Sequence, residues 1–524
     1  VSGSGVALGL ALMGILSLAG APQAMAAPPG KWLAGDLHNH TFLTDGSHTQ
    51  VEVVEKAFTR FGLDWLVNSE HGGAYTRNPA GVPFDTLTTP PCFLGDAKSV
   101  KGHRAMWRWQ SLRDYAWPQL ASLRARYPGK LLFQGLEWNV PGHEHASVGI
   151  IMPEGDAEAI SEFEYIFDAE DTDSTGQALA KKNQTHADGL AGAAYLQGKF
   201  KGRSYVILNH PSRKLKYSIA DFRDFHNTAP ETALGFEGLP GHQKEPQRGG
   251  YDKGPFTDAD GNDITYKART YGGADYLAAR VGGLWDALLG EGRQFWIVVN
   301  SDFHSAAADA DFWPGEYGKT WVFVPDENGD GSYDYRELLA GLRSGKSFAV
   351  HGDLIGELDF TARQGAAAAE MGQTLRAAAG HPVEITIAFK SSASHRAGSA
   401  PRVDHLDLIA GEVTGTVDKF LPDGVTPNPA YHQDTNPTTR VIATFGPSNW
   451  TVDQDGRCII RYRVQPAKGM YYRLRGTNLA ANTPHETDAE GNPLRDELLG
   501  KNDASRAWAD LWFYSNPIFV SVGQ

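Results

Sequence analysis

An α/β domain followed by a β-rich domain of sandwich type is the fold class that this sequence predicts, on three observations. Between about residues 31 and 350, short apolar runs alternate with amphipathic stretches, the pattern of βα units. After about 356 the texture changes to "PVEITIAF", "VDHLDLIAG", "RVIATFG", "CIIRYRV", "MYYRLRG" and "NPIFVSV", short alternating runs parted by Gly, Pro and Asn. With 524 residues, 41% of them hydrophobic, the chain has apolar material for more than one core. The expected division is a leader at 1–26, an α/β domain at 31–355 and a β domain at 356–524.

In order along the chain, the first 26 residues carry no charge, contain "VALGLALMGILSLAG" and close on "AMA", a small-x-small cleavage site. An export signal and a periplasmic or extracellular location follow as expectations. The apolar run is shorter than the roughly 20 residues that a span needs, so no membrane attachment is expected after cleavage. Ser47 with Gln50 three residues later reads as a capping box, and Val54, Ala57, Phe58 and Phe61 as the apolar stripe of a helix ended by Gly62. "LDWLV" is then a buried strand running into "NSEH". Residues 74–128 form a long insertion carrying Trp107, Trp109 and Trp117, either a helix packed on the domain or an apolar wall at its mouth. The stretches 155–200 and 241–275 read as polar, Gly- and Asp-rich loops, and "RELLAGLRSGKS" as a helix.

The net charge of −14, without a Lys/Arg cluster, argues against a nucleic-acid partner. Cys92 and Cys458 are compatible with one disulfide or with two free thiols.

The chemistry lies at the strand ends. "GDLHNHTFLTDG" places His38 and His40 two apart, on one side of an extended chain, with Asp45 close behind. "LDWLVNSEH" delivers His71; "LLFQGLEW" delivers Glu137 and is followed by His143 and His145; "SYVILNHP" delivers His210; "RQFWIVVNSDFH" delivers Asp302 and His304. In a (β/α) barrel such C-terminal strand ends converge on one mouth, where active sites sit. Taken singly, each group has an ordinary reading as a turn or cap residue. The repetition over five apolar runs points to a metal centre. Other histidines, among them His48, His103, His186, His226, His242 and His351, are read as ordinary.

"HNHTFLTDG", "SEH", "GLEW" with "HASVGI", "NHP" and "SDFH", in that order, resemble the PHP (polymerase and histidinol phosphatase) superfamily of metal-dependent phosphoesterases over roughly residues 31–355. The resemblance implies a distorted (β/α)7, TIM-like barrel with up to three divalent ions, and mixed N/O ligation without thiolate is compatible with Mn, Zn or Fe. By position it implies His38, His40, Glu137 and Asp302 on the first ion, Glu137, His145 and His210 on the second, and Asp45, His71 and His304 on the third. His145 is preferred to His143 because "HASVGI" matches the family's histidine followed by an apolar strand.

Three divalent ions bring six positive charges and three carboxylates bring three negative, so such a site favours an anionic substrate. A metal-bridging hydroxide is then the expected nucleophile, with no Ser or Cys needed. Asp45 and Arg213, the latter three residues past His210 and able to reach a phosphoryl oxygen, are the catalytic candidates. The expected substrate is a small organic phosphate ester, a diester first, because the insertion is apolar and few further arginines are evident. Two alternatives stand beside it. Family members with a trailing β domain are similar to carbaryl-hydrolase relatives, which cleave carbamate or carboxylic esters, and a calcium-stabilised binding protein needs no catalysis.

Separately, "DENGDGSYDYRE" sets Asp326, Asn328, Asp330, Ser332, Asp334 and Glu337 at positions 1, 3, 5, 7, 9 and 12 of a calcium-loop spacing, with Gly331 at position 6. A strand, not a helix, enters it.

Overall fold

A computed structural model describes residue 1 and residues 29–151, 155–251, 254–496 and 504–523. Apart from Val1, the expected leader at 1–26 lies outside the described residues. Seven strands lie side by side in chain order: β1 (Gly30–Asp36), β2 (Trp65–Asn68), β3 (Leu131–Asn139), β4 (His145–Ile150), β5 (Ser204–Leu208), β6 (Ala233–Leu239) and β7 (Trp296–Val299). Every residue of β2, β5, β6 and β7 is buried, which is why they are predominantly apolar and do not alternate with polar residues. Beyond the strand ends the series returns on itself. Asn39 pairs in parallel with Phe303, and His40 N donates to Phe303 O at 2.8 Å.

The sequence anticipates uniform βα units, but β4 runs antiparallel to both β3 and β5. Residues 140–144 alone join β3 to β4, far fewer than the dozen or so that a crossover helix needs, so a hairpin is the available connection. β1 also pairs along its length with antiparallel β8 (Gly318–Pro325), which pairs in turn with β9 (Ser347–His351).

Among the helices, α1 (Gln50–Glu55) begins two residues later than the Ser47 cap predicts. Thr49 is the cap, its side chain accepting from Glu52 N at 3.1 Å, and the Ser47 N–H that a capping box would give to Gln50 donates instead to His304 O at 2.7 Å. Val54, Ala57, Phe58 and Phe61 are buried, and Gly62, at φ 73°, ends the helical segment as expected. The 74–128 insertion ends in α2 (Trp117–Arg126), and it packs inward: Trp107 and Trp109 belong to the main core with Phe133 and Trp138.

The 155–200 stretch is not a loop. It holds α3 (Asp156–Phe167) and α4 (His186–Lys199). Ile160, Phe163 and Phe167 form a buried i, i+3, i+7 stripe that the surrounding Gly, Asp and Ala residues mask in composition. Next come α5 (Ile219–Thr228), α6 (Leu284–Gly290) and α7 (Tyr335–Ser344), the last capped by Gly345 at φ 73°.

The C-terminal apolar runs all form strands. β10 (Glu357–Gln364), β11 (Val383–Lys390) and β13 (Cys458–Val464) lie in a five-stranded sheet, while β12 (His405–Glu412), β14 (Met470–Thr477) and β15 (Trp512–Ser515) extend the large sheet from β9. The two sheets enclose a common core that includes Phe360, Ile385, Leu408, Ile460, Leu474 and Phe513. A fully buried bidentate pair, Arg473 with Asp286 at 2.7 Å on both contacts, joins this part to α6. Removing one partner would strand a buried charge at a cost of about 3–5 kcal/mol. Cys92 and Cys458 are free thiols, and no helix among the described residues is long and apolar enough to cross a membrane.

Candidate metal centre

At the end of β1, Asp36 fixes the chain that carries the two histidines. Its Oδ1 accepts from His38 N at 2.9 Å and its Oδ2 from Ser301 N at 2.7 Å, so one carboxylate ties the ends of β1 and β7 together. Burial pushes Asp36 up to about 6 in spite of those hydrogen bonds. Buried Glu70 holds the following loop by accepting from Thr41 N at 3.2 Å and from the hydroxyls of Thr41 and Thr44.

Glu137 stands at the middle of the cluster. Five imidazoles face its two oxygens: His38 Nε2 at 3.0 Å, His40 Nε2 at 3.2 Å, His71 Nδ1 at 2.9 Å, His145 Nδ1 at 3.0 Å and His210 Nε2 at 3.2 Å. Asp302 Oδ1 lies 3.1 Å from His38 Nε2 and 3.3 Å from His40 Nε2. At the rim, half-exposed Asp45 lies 3.3 Å from His304 Nε2 and 3.5 Å from His71 Nε2. All nine residues named from the sequence are thus drawn into one cluster.

The donor chemistry fits divalent ions. Glu137 Oε2 and His40 Nδ1 are buried without a hydrogen-bond partner, a cost that a cation would relieve. Potential ligand atoms fall into compact sets, including His38, His40, Glu137 and Asp302, a second of His40, Asp45, His71 and His304, and a third of His71, Glu137 and His145. The tautomers agree. His38 Nδ1 donates to Glu237 Oε1 at 2.7 Å and His304 Nδ1 to Asp302 O at 2.8 Å, which leaves each Nε2 lone pair facing the cluster.

Electrostatics point the same way. Burial opposes charge on His38, yet Asp302, Glu137 and Glu237 outweigh it and hold the imidazole well above its ordinary range. This point in the protein therefore stabilises positive charge. Burial also works against an ionised Asp302, but His242, His38 and Arg213 keep it well below the usual carboxylate range. His210 is pushed the other way, down to about 4, by burial first and Arg213 second, so its imidazole is neutral with a lone pair to offer.

Three residues here have left-handed backbones, His210 at φ 29°, His242 at φ 55° and Asp302 at φ 46°. Such strain costs on the order of 1–3 kcal/mol per residue and gathers where geometry is dictated by function.

Arg213 lies in the same cavity, of about 330 Å³, its Nη2 donating to Asp302 Oδ2 at 2.9 Å while its Nε is unpartnered. Trp107, Trp109 and Trp117 are absent from the residues lining that cavity, so the insertion provides no apolar wall there.

Sequence reasoning missed Glu237, His242 and Asp311. Glu237 accepts from His38, from Asn300 Nδ2 at 2.8 Å and from His210 N at 2.9 Å. A glutamate within the apolar run "ALGFEGL" is the signal that was available, since such a residue stays buried only with partners. His242, read as ordinary, lies with Nε2 3.0 Å from Asp302 Oδ2 and Nδ1 2.5 Å from Asp311 Oδ1. It follows an apolar strand just as His210 does, and Gly241 permits the approach, since a Cβ there would lie 2.1 Å from Ser301 O.

The calcium-spaced loop joins β8 to α7 and is closed by its own hydrogen bonds. Asp326 accepts from Asp330 N at 3.1 Å and Gly331 N at 3.0 Å, Asn328 from Asp330 N at 2.9 Å, and Asp330 from Ser332 N at 2.7 Å. Asp334 caps α7, and Glu337 reaches back to Glu327 N and Asp334 N, both at 2.9 Å.

No protein-family model and no curated protein matches the chain. Among solved structures it is similar to a two-domain protein from Bacteroides vulgatus containing a predicted PHP-like metal-dependent phosphoesterase. Identity is 13%, the match spans 91% of this chain and 99% of that one, and the TM-score is 0.33.

Proposed function

We propose that this chain is an exported, metal-dependent hydrolase of small organic phosphate esters, diesters foremost. The single observation that carries the reading is the set of five imidazoles around Glu137, with Asp302 and Asp45 completing the donors. On this reading the seven strands form a distorted (β/α) barrel with the centre at its mouth, and the C-terminal sheets pack as a sandwich. The ion assignments are those that the resemblance implies, with Mn, Zn or Fe as the candidates and no thiolate required.

The ions supply Lewis acidity and lower the pKa of water that they bind. The protein's own residues do the remainder. His38 is aligned by Glu237 and His304 by the Asp302 carbonyl, so the donors are fixed before substrate arrives. Arg213, anchored on Asp302 through Nη2, lines the cavity and offers its guanidinium to a phosphoryl oxygen. Among the cavity-lining residues the other Lys or Arg is Lys214, which pairs with Glu144 at 2.9 Å. One available arginine suits the single negative charge of a diester better than a dianionic monoester, and this now carries the diester preference without the tryptophans. Asp45, half exposed between His71 and His304, is placed to assist at the solvent side of the site. The 326–337 loop is proposed as a calcium site of structural purpose, favoured by its oxygen donors and its spacing.

The test is metal content by mass spectrometry, followed by turnover of aryl phosphodiester, phosphomonoester, carbamate and acetate by Mn- or Zn-loaded protein. Fastest turnover of the diester is expected. Fastest turnover of the carbamate replaces the reaction by carbonyl hydrolysis, and no turnover at full metal loading favours a binding protein.

A further inference from the structure

A second histidine cluster lies apart from the nine-residue centre. His143 sits in the β3–β4 hairpin, His186 opens α4, and Asp221 lies in the first turn of α5. Their potential ligand atoms form another compact set. His143 Nε2 and His186 Nδ1 are 2.7 Å apart, and Asp221 Oδ1 is 3.9 Å from the former and 3.7 Å from the latter.

With both imidazoles neutral, the outer hydrogen bonds set what these atoms offer. His143 Nδ1 contacts Lys216 O at 3.0 Å, and a carbonyl can only accept, so Nδ1 carries the proton and Nε2 the lone pair. His186 Nε2 contacts Asp224 Oδ2 at 3.2 Å, and that oxygen also accepts from Lys419 Nζ at 2.7 Å, as an ionised carboxylate does. His186 therefore carries its proton on Nε2 and its lone pair on Nδ1. Two lone pairs then meet at 2.7 Å, which repels unless a cation sits against both. Asp221 is divided in the same sense: Oδ2 closes a capping box with Ser218 N and Oγ, both at 2.7 Å, and Oδ1 is left for the histidines.

We propose that His143 Nε2, His186 Nδ1 and Asp221 Oδ1 form a separate zinc site. Two imidazole nitrogens and one carboxylate oxygen are a three-ligand zinc set, and the partial exposure of His186 leaves the fourth, tetrahedral position to water. Ligands on a tetrahedral zinc at about 2.0–2.1 Å lie roughly 3.3 Å from one another. The observed separations of 2.7, 3.7 and 3.9 Å bracket that figure, so shifts of about half an ångström complete the site. The outer ligands suit the role, since zinc-bound histidines commonly give their other N–H to a carbonyl or carboxylate. Such an ion joins the hairpin, α4 and α5. Because His143 precedes His145 by two residues, it also braces the hairpin that brings His145 to Glu137.

Zinc titration of chelator-stripped full-length protein, read by mass spectrometry, with His186→Gln as the comparison, tests this. His186 is the first residue of α4 and one-third exposed, so the fold should tolerate the change. The unaltered protein should bind one zinc more per chain than the variant at saturation, and zinc-edge anomalous scattering from a soaked crystal should place a peak among the three named atoms. Equal zinc content in the two proteins, with no peak there, overturns the site and assigns the 2.7 Å contact to a shared proton. If the variant folds poorly, the anomalous map of the unaltered protein decides alone.

Discussion

The strand-end cluster and the 326–337 loop both gather acidic groups, but they treat them in opposite ways. In the loop, Asp326, Asn328, Asp330, Asp334 and Glu337 already accept from backbone N–H groups a few residues away, so the loop is closed by the chain itself. At the centre, Glu137 Oε2 is buried without a hydrogen-bond partner, and the imidazoles around the carboxylate come from the ends of four other strands, β1, β2, β4 and β5. A buried carboxylate gains its stability from charge brought to it, whereas an exposed one is largely satisfied by water and amides. Metal should therefore matter most at the centre and least at the loop.

The sharpest break of that contrast is Glu137→Gln. It removes the charge that five imidazoles share, and turnover should fall on the order of 10³-fold or more, roughly 4 kcal/mol. Mass spectrometry should record less metal per chain as well. A variant with normal turnover and normal metal content would dissolve the proposed centre.

Next in size is Arg213→Met. Losing a charged donor aimed at developing negative charge costs about 10²-fold in kcat/KM when that donor contacts the reacting group. The loss should be large for a phosphodiester and small for an aryl acetate, whose substrate carries no charge. Equal losses on both would make Arg213 a support for Asp302, to which it is hydrogen bonded, and nothing more.

Glu237→Gln comes third. As the partner of His38 Nδ1 it sets the tautomer of a metal-facing histidine, and loss of such an outer partner typically weakens metal binding by about 10–100-fold. Competition with a colorimetric chelator measures this directly. Activity should recover at saturating metal, a rescue that Glu137→Gln should lack.

How much of this was legible in the sequence follows from where each residue sits. His38, His40, His71, Glu137, His210, Asp302 and His304 are near the ends of short apolar runs, so a local pattern marks each one. Glu237 and Asp311 act from inside a strand and from a loop, and only the assembled fold brings them to His38 and His242. The strands were legible for the same local reason. Their directions were not, because the antiparallel course of β4 depends on the brevity of residues 140–144 and on which neighbours β4 then meets. Nor does any local pattern in β9 announce that β15 continues its sheet, more than 150 positions later. His186 was read as ordinary because its partners, His143 and Asp221, lie on other elements.

The smallest effect belongs to the loop. Because its amides already satisfy Asp326 and Asp330, an added calcium ion should stabilise the fold without being needed for it. Ligand at a hundred times its Kd adds about 2.7 kcal/mol in the limiting case, and a solvent-exposed site filled more weakly adds less. Calcium should therefore raise Tm by a few degrees at most in the unaltered protein and leave Tm unchanged in Asp330→Ala, with phosphoesterase turnover the same in both. An equal rise in both proteins would move the calcium elsewhere, and no rise in either would leave the loop as a solvated turn whose acids serve the cap of α7. The contrast with the centre would then be at its widest, since one acidic cluster would need metal for its chemistry and the other would need none for its shape.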